Sequence, residues 1–352
     1  MSKLNFLNSL IYKFRQEFFS PTRLQTKRFV YIVNFLRFHL QKKSNLDLTE
    51  NILIWDVRTN SITFDFVWVI FNAFFFFNCP EEGFQVIIFK PKEFVLKPFT
   101  FNSYDKYIDD KEMVERLEKL ILVIAKSFIC IKSIRIESDE KKINKIVNST
   151  KNILPKYYHP NFYSPEPLCY KKVHYLLQNE SKLIISLMDP MRLSNTLSNE
   201  NLIRDFGYYI TFSLRDYGYS PERNISQRDI DIGIQFAKKL GCKFLVIPDD
   251  IEKLKNYDLS KADFVLKNAR MFLEYRFSLY SNSQVNILST SGPASASINL
   301  IKSRTIILNY ASGSLDNPEF YEKNYGLNIG DQPYLKLGGY LMWSQIYKNY
   351  NL

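Results

Sequence analysis

The residues best suited to chemistry in this 352-residue chain fall into three groups. Arg215, Arg223 and Asn224 lie in one polar run, Arg215-Asp-Tyr-Gly-Tyr-Ser-Pro-Glu-Arg-Asn224, which follows the apolar segment 208–214. Guanidinium groups stay charged at any relevant pH and fork onto phosphate oxygens, so two in one loop suit a diphosphate. Solvated or salt-bridged arginines are the plainer alternative. The second group is Ser291, Gly292 and Pro293, in a turn between an apolar run and a helical stretch. Pro is favoured in the first turn of a helix, and the unpaired N–H groups there attract anions. An ordinary strand-to-helix turn would look the same. The third group is a pair of carboxylates, Asp56 and Asp65, at the two ends of a polar loop. Either could take a proton from a hydroxyl as general base. Asp65 could instead cap the helix that follows.

Metal chemistry is not expected. The four cysteines (Cys79, Cys130, Cys169 and Cys242) form no pair at ligand spacing, and only three histidines occur. No cofactor is implied beyond a substrate. Hydrophobic residues at 46% and charged residues at 24% fit a folded globular chain.

These groups need elements to hold them, and the pattern supplies an alternation. Residues 51–57 read as a buried strand, 58–65 as a loop, 66–77 as an apolar helix and 84–89 as a strand, which is one βαβ unit of a parallel sheet. The run 66–77 is too short to span a bilayer and reads as core. A helix over 111–128, a strand over 129–136 and a helix over 139–147 follow, and then a Pro-rich loop over 154–167. Alternation resumes with a strand at 208–214, a helix at 229–240 closed by Gly241, and a strand at 243–248 ending in Asp249-Asp250. Beyond these come a helix at 272–281, a strand at 285–288, a helix from Gly292 to about Ile301, a strand at 305–309, and a last helix beginning near Leu341. The reading is α/β, with lobes at 49–200 and 201–352.

Residues 1–48 stand apart. They hold nine basic groups against two acidic ones, in a chain of net charge +11, with apolar residues at helical spacing. Such a basic amphipathic extension suits an anionic membrane surface. It equally suits a helical hairpin packed on the body, and nucleic acid is not expected because no recognisable module accompanies the charge.

The run Ile210-Thr-Phe-Ser-Leu-Arg-Asp-Tyr-Gly-Tyr-Ser-Pro-Glu-Arg-Asn224 resembles a segment of bacterial glycosyltransferases of the GT-B architecture. Arg276-Phe-Ser-Leu-Tyr280, the Ser291-Gly-Pro293 turn, Ser61-Ile-Thr-Phe-Asp-Phe66, Gly330-Asp-Gln332 and Trp343 are similar to further elements of those proteins, in the same order. The resemblance spans roughly 50–350 and is thin between 90 and 180. It implies two Rossmann-like lobes facing a cleft, with a nucleotide-sugar held by the second and a glycan or lipid-linked acceptor by the first. Arg215, Arg223, Asn224, Ser291, Gly292 and Pro293 would hold the diphosphate, without a tightly bound metal. Asp249, Arg276 and Tyr280 would lie on the nucleoside side, and Asp65 or Asp56 would act as base. A cytoplasmic transferase of polysaccharide assembly, at the inner face of the membrane if residues 1–48 bind it, is the expectation. A nucleotide-sugar epimerase or hydrolase, or a non-catalytic basic binding protein, are the alternatives.

Overall fold

The computed structural model describes residues 50–57, 60, 62–78, 82–90, 110–150, 152–156, 158, 170–179, 187–193, 201, 203–218, 220–310 and 318–343. The basic extension at 1–48 and most of the Pro-rich stretch lie outside these residues. Contacts divide the chain into two compact units that interleave along it. One gathers 1–61, 85–105 and 135–167; the other gathers 62–84, 106–134 and 168–352.

The first sheet has four strands in the order β3-β2-β1-β4: β1 (Ile52–Asp56), β2 (Phe84–Phe89), β3 (Ile131–Glu137) and β4 (Ile153–Leu154). β1 runs parallel to both β2 and β4, as the βαβ pattern predicts. α1 (Asp65–Phe76) follows β1, and its buried face extends almost all round, from Phe66 to Ala73. That makes it a core helix, as its length and composition suggest. No helix among the described residues is long and apolar enough to cross a membrane. The stretch 110–127 is helical throughout, α2 (Asp110–Arg116) passing through a π-helical turn into α3 (Leu122–Ser127). α4 (Glu140–Ser149) starts at Asp139, whose side chain accepts the Lys141 N–H. Ile143 and Val147 on α4 meet Ile52, Ile54, Ile87, Phe89 and Ile153 in the core of the first unit.

The second unit holds α5 (Tyr170–Asn179) and a six-stranded sheet with its helices: β5 (Tyr209–Leu214), α6 (Gln227–Lys239), β6 (Lys243–Pro248), β7 (Phe264–Val265), α7 (Leu273–Asn282), β8 (Asn286–Ser289), α8 (Gly292–Asn299), β9 (Thr305–Tyr310), α9 (Pro318–Tyr325) and β10 (Gly339–Trp343). The order is β10-β9-β8-β5-β6-β7, with every neighbouring pair parallel. Counted from β5 this is 6-5-4-1-2-3, the doubly wound dinucleotide-fold order, with one reversal between β5 and β8. α6 opens on a capping box between Ser226 and Asp229 and closes before Gly241, whose φ of +65° suits a residue without Cβ. Gly233 lets α6 lie on Phe212 and Phe244, since a Cβ there would come within 2.9 Å of the Phe244 ring.

Four elements, β4, α5, β7 and α9, do not stand out in the sequence, and one expectation is overturned. Residues 339–343 are not the start of a helix but the edge strand β10, parallel to β9. The alternation of buried and exposed positions along Gly339–Trp343 has the period of a strand. Gln332 protects that edge: its side chain donates to Leu341 O at 2.8 Å and accepts Leu341 N–H at 2.7 Å. The Trp343 indole donates to Asp331 O at 3.0 Å, so two of the late residues carrying the resemblance brace one strand.

His174 on α5 is fully buried and serves the packing of this unit. Its Nδ1 lies 3.0 Å from Tyr325 O and its Nε2 lies 2.7 Å from the Tyr334 hydroxyl. A carbonyl only accepts, so Nδ1 carries the proton and Nε2 accepts from Tyr334. Burial holds the imidazole pKa down at about 4, against 6.5 for an exposed histidine. Because the unfolded chain takes up this proton first, stability falls as pH drops from 6.5 towards about 4. The loss reaches roughly 3 kcal/mol and then levels off. Urea titrations at pH 7 and pH 4.5 should show a drop in midpoint for the native sequence that His174→Gln largely lacks. Equal drops in both would count against this account.

Candidate functional site

In a doubly wound sheet, ligands bind beyond the carboxyl ends of the strands, where the strand order reverses. Here that point lies between β5 and β8, and both loops singled out in the sequence leave the sheet there. Arg215 follows β5 directly, and Ser289 to Ser291 lead from β8 into α8.

The loop after β5 is closed on itself. Arg215 is buried, and its Nη1 donates to Ser220 O at 3.0 Å and to Asn224 Oδ1. Asn224 Oδ1 also accepts the Tyr217 N–H at 3.1 Å, while its Nδ2 donates to Tyr217 O at 3.1 Å and Asp216 Oδ1 at 3.3 Å. Ser220 takes a left-handed backbone, φ 53°, to turn the loop. Arg215 and Asn224 therefore shape the loop. Arg223, half-buried, has a guanidinium with no hydrogen bond or ion pair among the described residues.

At the end of β8, Ser289 is fully buried and its hydroxyl has no partner among the described residues. Thr290 bonds back to β9 through Leu308 O and Asn309 O, at 3.4 and 3.3 Å. Ser291 precedes α8 without capping it, and Pro293, which has no N–H, stands in the first turn. The N–H groups of Ser291 and Gly292 make no backbone hydrogen bond among the described residues, so they and the positive helix end suit an anion.

The third feature is one polar network that joins all the residues assigned to the nucleoside side. Arg276 on α7 is 2% exposed. Its Nη2 donates to Asp249 Oδ1 at 3.0 Å and to Ser213 Oγ at 3.2 Å, and its Nε donates to the Tyr280 hydroxyl at 2.7 Å. Tyr280 and Ser213 share a further hydrogen bond of 2.6 Å. Burial pulls the Arg276 pKa down, but Tyr280 and Asp249 outweigh it and hold the value above that of an ordinary arginine. Burial raises the Tyr280 pKa, so the phenol stays neutral. Asp249, at the carboxyl end of β6, keeps a side chain 21% exposed, and its second oxygen has no partner among the described residues. Arg276 and Tyr280 are too deep to meet a ligand; Asp249 is the outward member. Ser213, which belongs to the Ile210–Asn224 run but was not expected at the site, stands out in the sequence as a polar residue inside an apolar strand.

The chain is similar to two glycosyltransferases of known structure. One is the glycosyl transferase family 9 protein from Veillonella parvula DSM 2008, at 13% identity and a TM-score of 0.41, covering 87% of this chain and 88% of that one. The other is the E. coli heptosyltransferase WaaC with ADP, at 11% identity and a TM-score of 0.34, covering 83% and 92%. No family model and no curated protein matches the chain. Likenesses this loose carry no argument about function, which must come from the side chains.

The two candidate carboxylates have different surroundings. Asp56, at the end of β1 in the first unit, is 1% exposed, and its Oδ2 accepts the Tyr158 hydroxyl at 2.7 Å. Asp65 belongs to the second unit and is half-buried, in the first turn of α1. It does not cap the helix. The Thr63 hydroxyl accepts the Asp65 N–H at 3.3 Å instead, leaving the carboxylate near the positive helix end, where negative charge is favourable.

α1 lies against α8. A Cβ on Gly292 would sit 2.5 Å from Phe64 Cδ2, so only glycine admits Phe64 at the start of α8. One turn along, the Trp68 indole donates to Ser295 Oγ at 2.8 Å. The first turns of the two helices are thus side by side within one unit. Nothing in the spacing of these residues along the chain marks that neighbourhood.

Proposed function

We propose that this chain is a glycosyltransferase that moves a sugar from a nucleotide-sugar to a glycan or lipid-linked hydroxyl, without a resident metal. One observation carries the reading: two of the segments with the sequence resemblance, 210–224 and 291–293, leave neighbouring strands at the single reversal of a doubly wound parallel sheet.

In this reading the diphosphate lies against the N–H groups of Ser291 and Gly292, with the Arg223 guanidinium and the Ser291 hydroxyl beside it. Fixed donors of this kind stabilise the charge that grows on a leaving diphosphate as the sugar–oxygen bond breaks. The free oxygen of Asp249 accepts from ribose hydroxyls, held in orientation by Arg276. Asp65 takes the proton of the acceptor hydroxyl as that oxygen attacks the anomeric carbon, which makes the reaction inverting. Arg215 and Asn224 act by holding the loop that presents Arg223.

The test is a thermal-shift screen of the full chain against UDP, GDP, ADP, CMP and their sugar conjugates. A ligand bound only by the folded state raises the midpoint by mass action, by a few degrees at roughly a hundredfold excess over Kd. One nucleoside diphosphate and its sugar conjugate should do so, and that conjugate should be consumed only when an acceptor is added. No shift with any of them would overturn the reading. Consumption of the donor alone would reassign the chain to hydrolysis or epimerisation.

A further inference from the structure

We infer that Trp68 and Ser295 are positioning residues that set Asp65 beside the first turn of α8, an inference that rests on the transfer reading. Asp65 sits at the start of α1, and the groups assigned to the diphosphate sit at the start of α8. The register between the two helices therefore decides where a base on one stands relative to a leaving group on the other.

Two contacts hold that register. Phe64 fills the space a side chain on Gly292 would take. Trp68, one turn further along α1, donates its indole N–H to Ser295 Oγ at 2.8 Å, one turn further along α8. Packing alone would permit sliding, because an aromatic face against a small residue has no preferred depth. A directed hydrogen bond between a 4% exposed indole and a hydroxyl does not. The Trp68 ring stacks on Tyr334, ring centroids 5.5 Å apart, and the hydroxyl of Tyr334 is held by His174. Ser295 is fixed from its own side, since Asn299 Nδ2 donates to Ser295 O at 2.9 Å. A rigid chain of groups thus runs from α5 through Tyr334 and Trp68 to α8, with Asp65 carried three residues before Trp68. Reaction rates fall steeply when reacting groups are displaced by an ångström, so this bond should act on turnover more than on donor affinity.

The experiment is a double-substitution cycle on the full chain. Trp68→Phe keeps the ring stack and removes the donor; Ser295→Ala removes the acceptor. Each should lower kcat roughly tenfold to a hundredfold, with donor KM and the nucleotide-induced thermal shift within about twofold of the native protein. The double variant should be no worse than the weaker single one, because both remove the same bond. Native kcat in either single variant, or losses that multiply in the double, would overturn the inference and leave the transfer reading standing. So would losses of kcat matched by equal losses of nucleotide binding. A native protein that transfers no sugar from any donor would overturn the transfer reading and this inference together.

Discussion

Replacing Asp249 with alanine should destabilise the second unit by about 3–5 kcal/mol, the usual cost of removing one partner of a buried ion pair. The size follows from what stays behind. The Arg276 side chain is 3% exposed against 21% for Asp249, so deleting the carboxylate strands a buried positive charge that cannot shed its proton. Ser213 and Tyr280 would still accept from the guanidinium, but neither supplies a negative charge. Asp249→Asn keeps an acceptor and should cost less. The converse change, Arg276→Met, leaves a carboxylate that water can reach and should also be milder. Denaturant unfolding of the three variants checks this ordering. Equal losses in all three would mean that packing, not charge, holds the network.

The largest effect on turnover is expected at Asp65. Asp65→Asn keeps the size and one acceptor but cannot take a proton, so kcat should fall about a hundredfold to ten-thousandfold, with the nucleotide-induced thermal shift unchanged. The matching change, Asp56→Asn, should do the opposite. Asp56 is spent on the Tyr158 hydroxyl inside the core of the first unit; an amide oxygen can still accept that proton, so the change removes only the charge on the bond and should lower stability by about 1 kcal/mol, with kcat nearly native. Steady-state kinetics on both variants decides between the two carboxylates. A large kcat loss in Asp56→Asn with none in Asp65→Asn would move the base to the first unit.

That contrast marks where reading the chain alone stops. Both aspartates flank one polar loop, and spacing treats them alike; the structure puts Asp56 in the core against Tyr158 and Asp65 half-buried in the first turn of α1. The two arginines of the 215–224 run are likewise equal in sequence. Which one closes the loop depends on where its backbone turns, at Ser220, and that conformation is not encoded by residue type.

The amino-acid pattern by itself determined the elements with strong local signals. Apolar runs bounded by turns marked β1, β2, β5, β6, β8 and β9, and Gly241 marked the end of α6, while the Ser226–Asp229 cap that starts it two residues earlier emerged only in the structure. Carboxyl-end residues were recognisable because a polar group after an apolar run must lie at a strand end. The α/β alternation and the parallel sense of the strands follow from those signals, since short local preferences need no distant partner. Tertiary structure alone decided the rest. It set the strand order with its one reversal, turned the expected last helix into the edge strand β10, and grouped α1 with the second sheet. It also brought Trp68 to Ser295, 227 positions away. Such pairings are chosen by which buried surfaces and hydrogen-bonding groups fit across the whole chain, and one-dimensional periodicity carries no term for that choice.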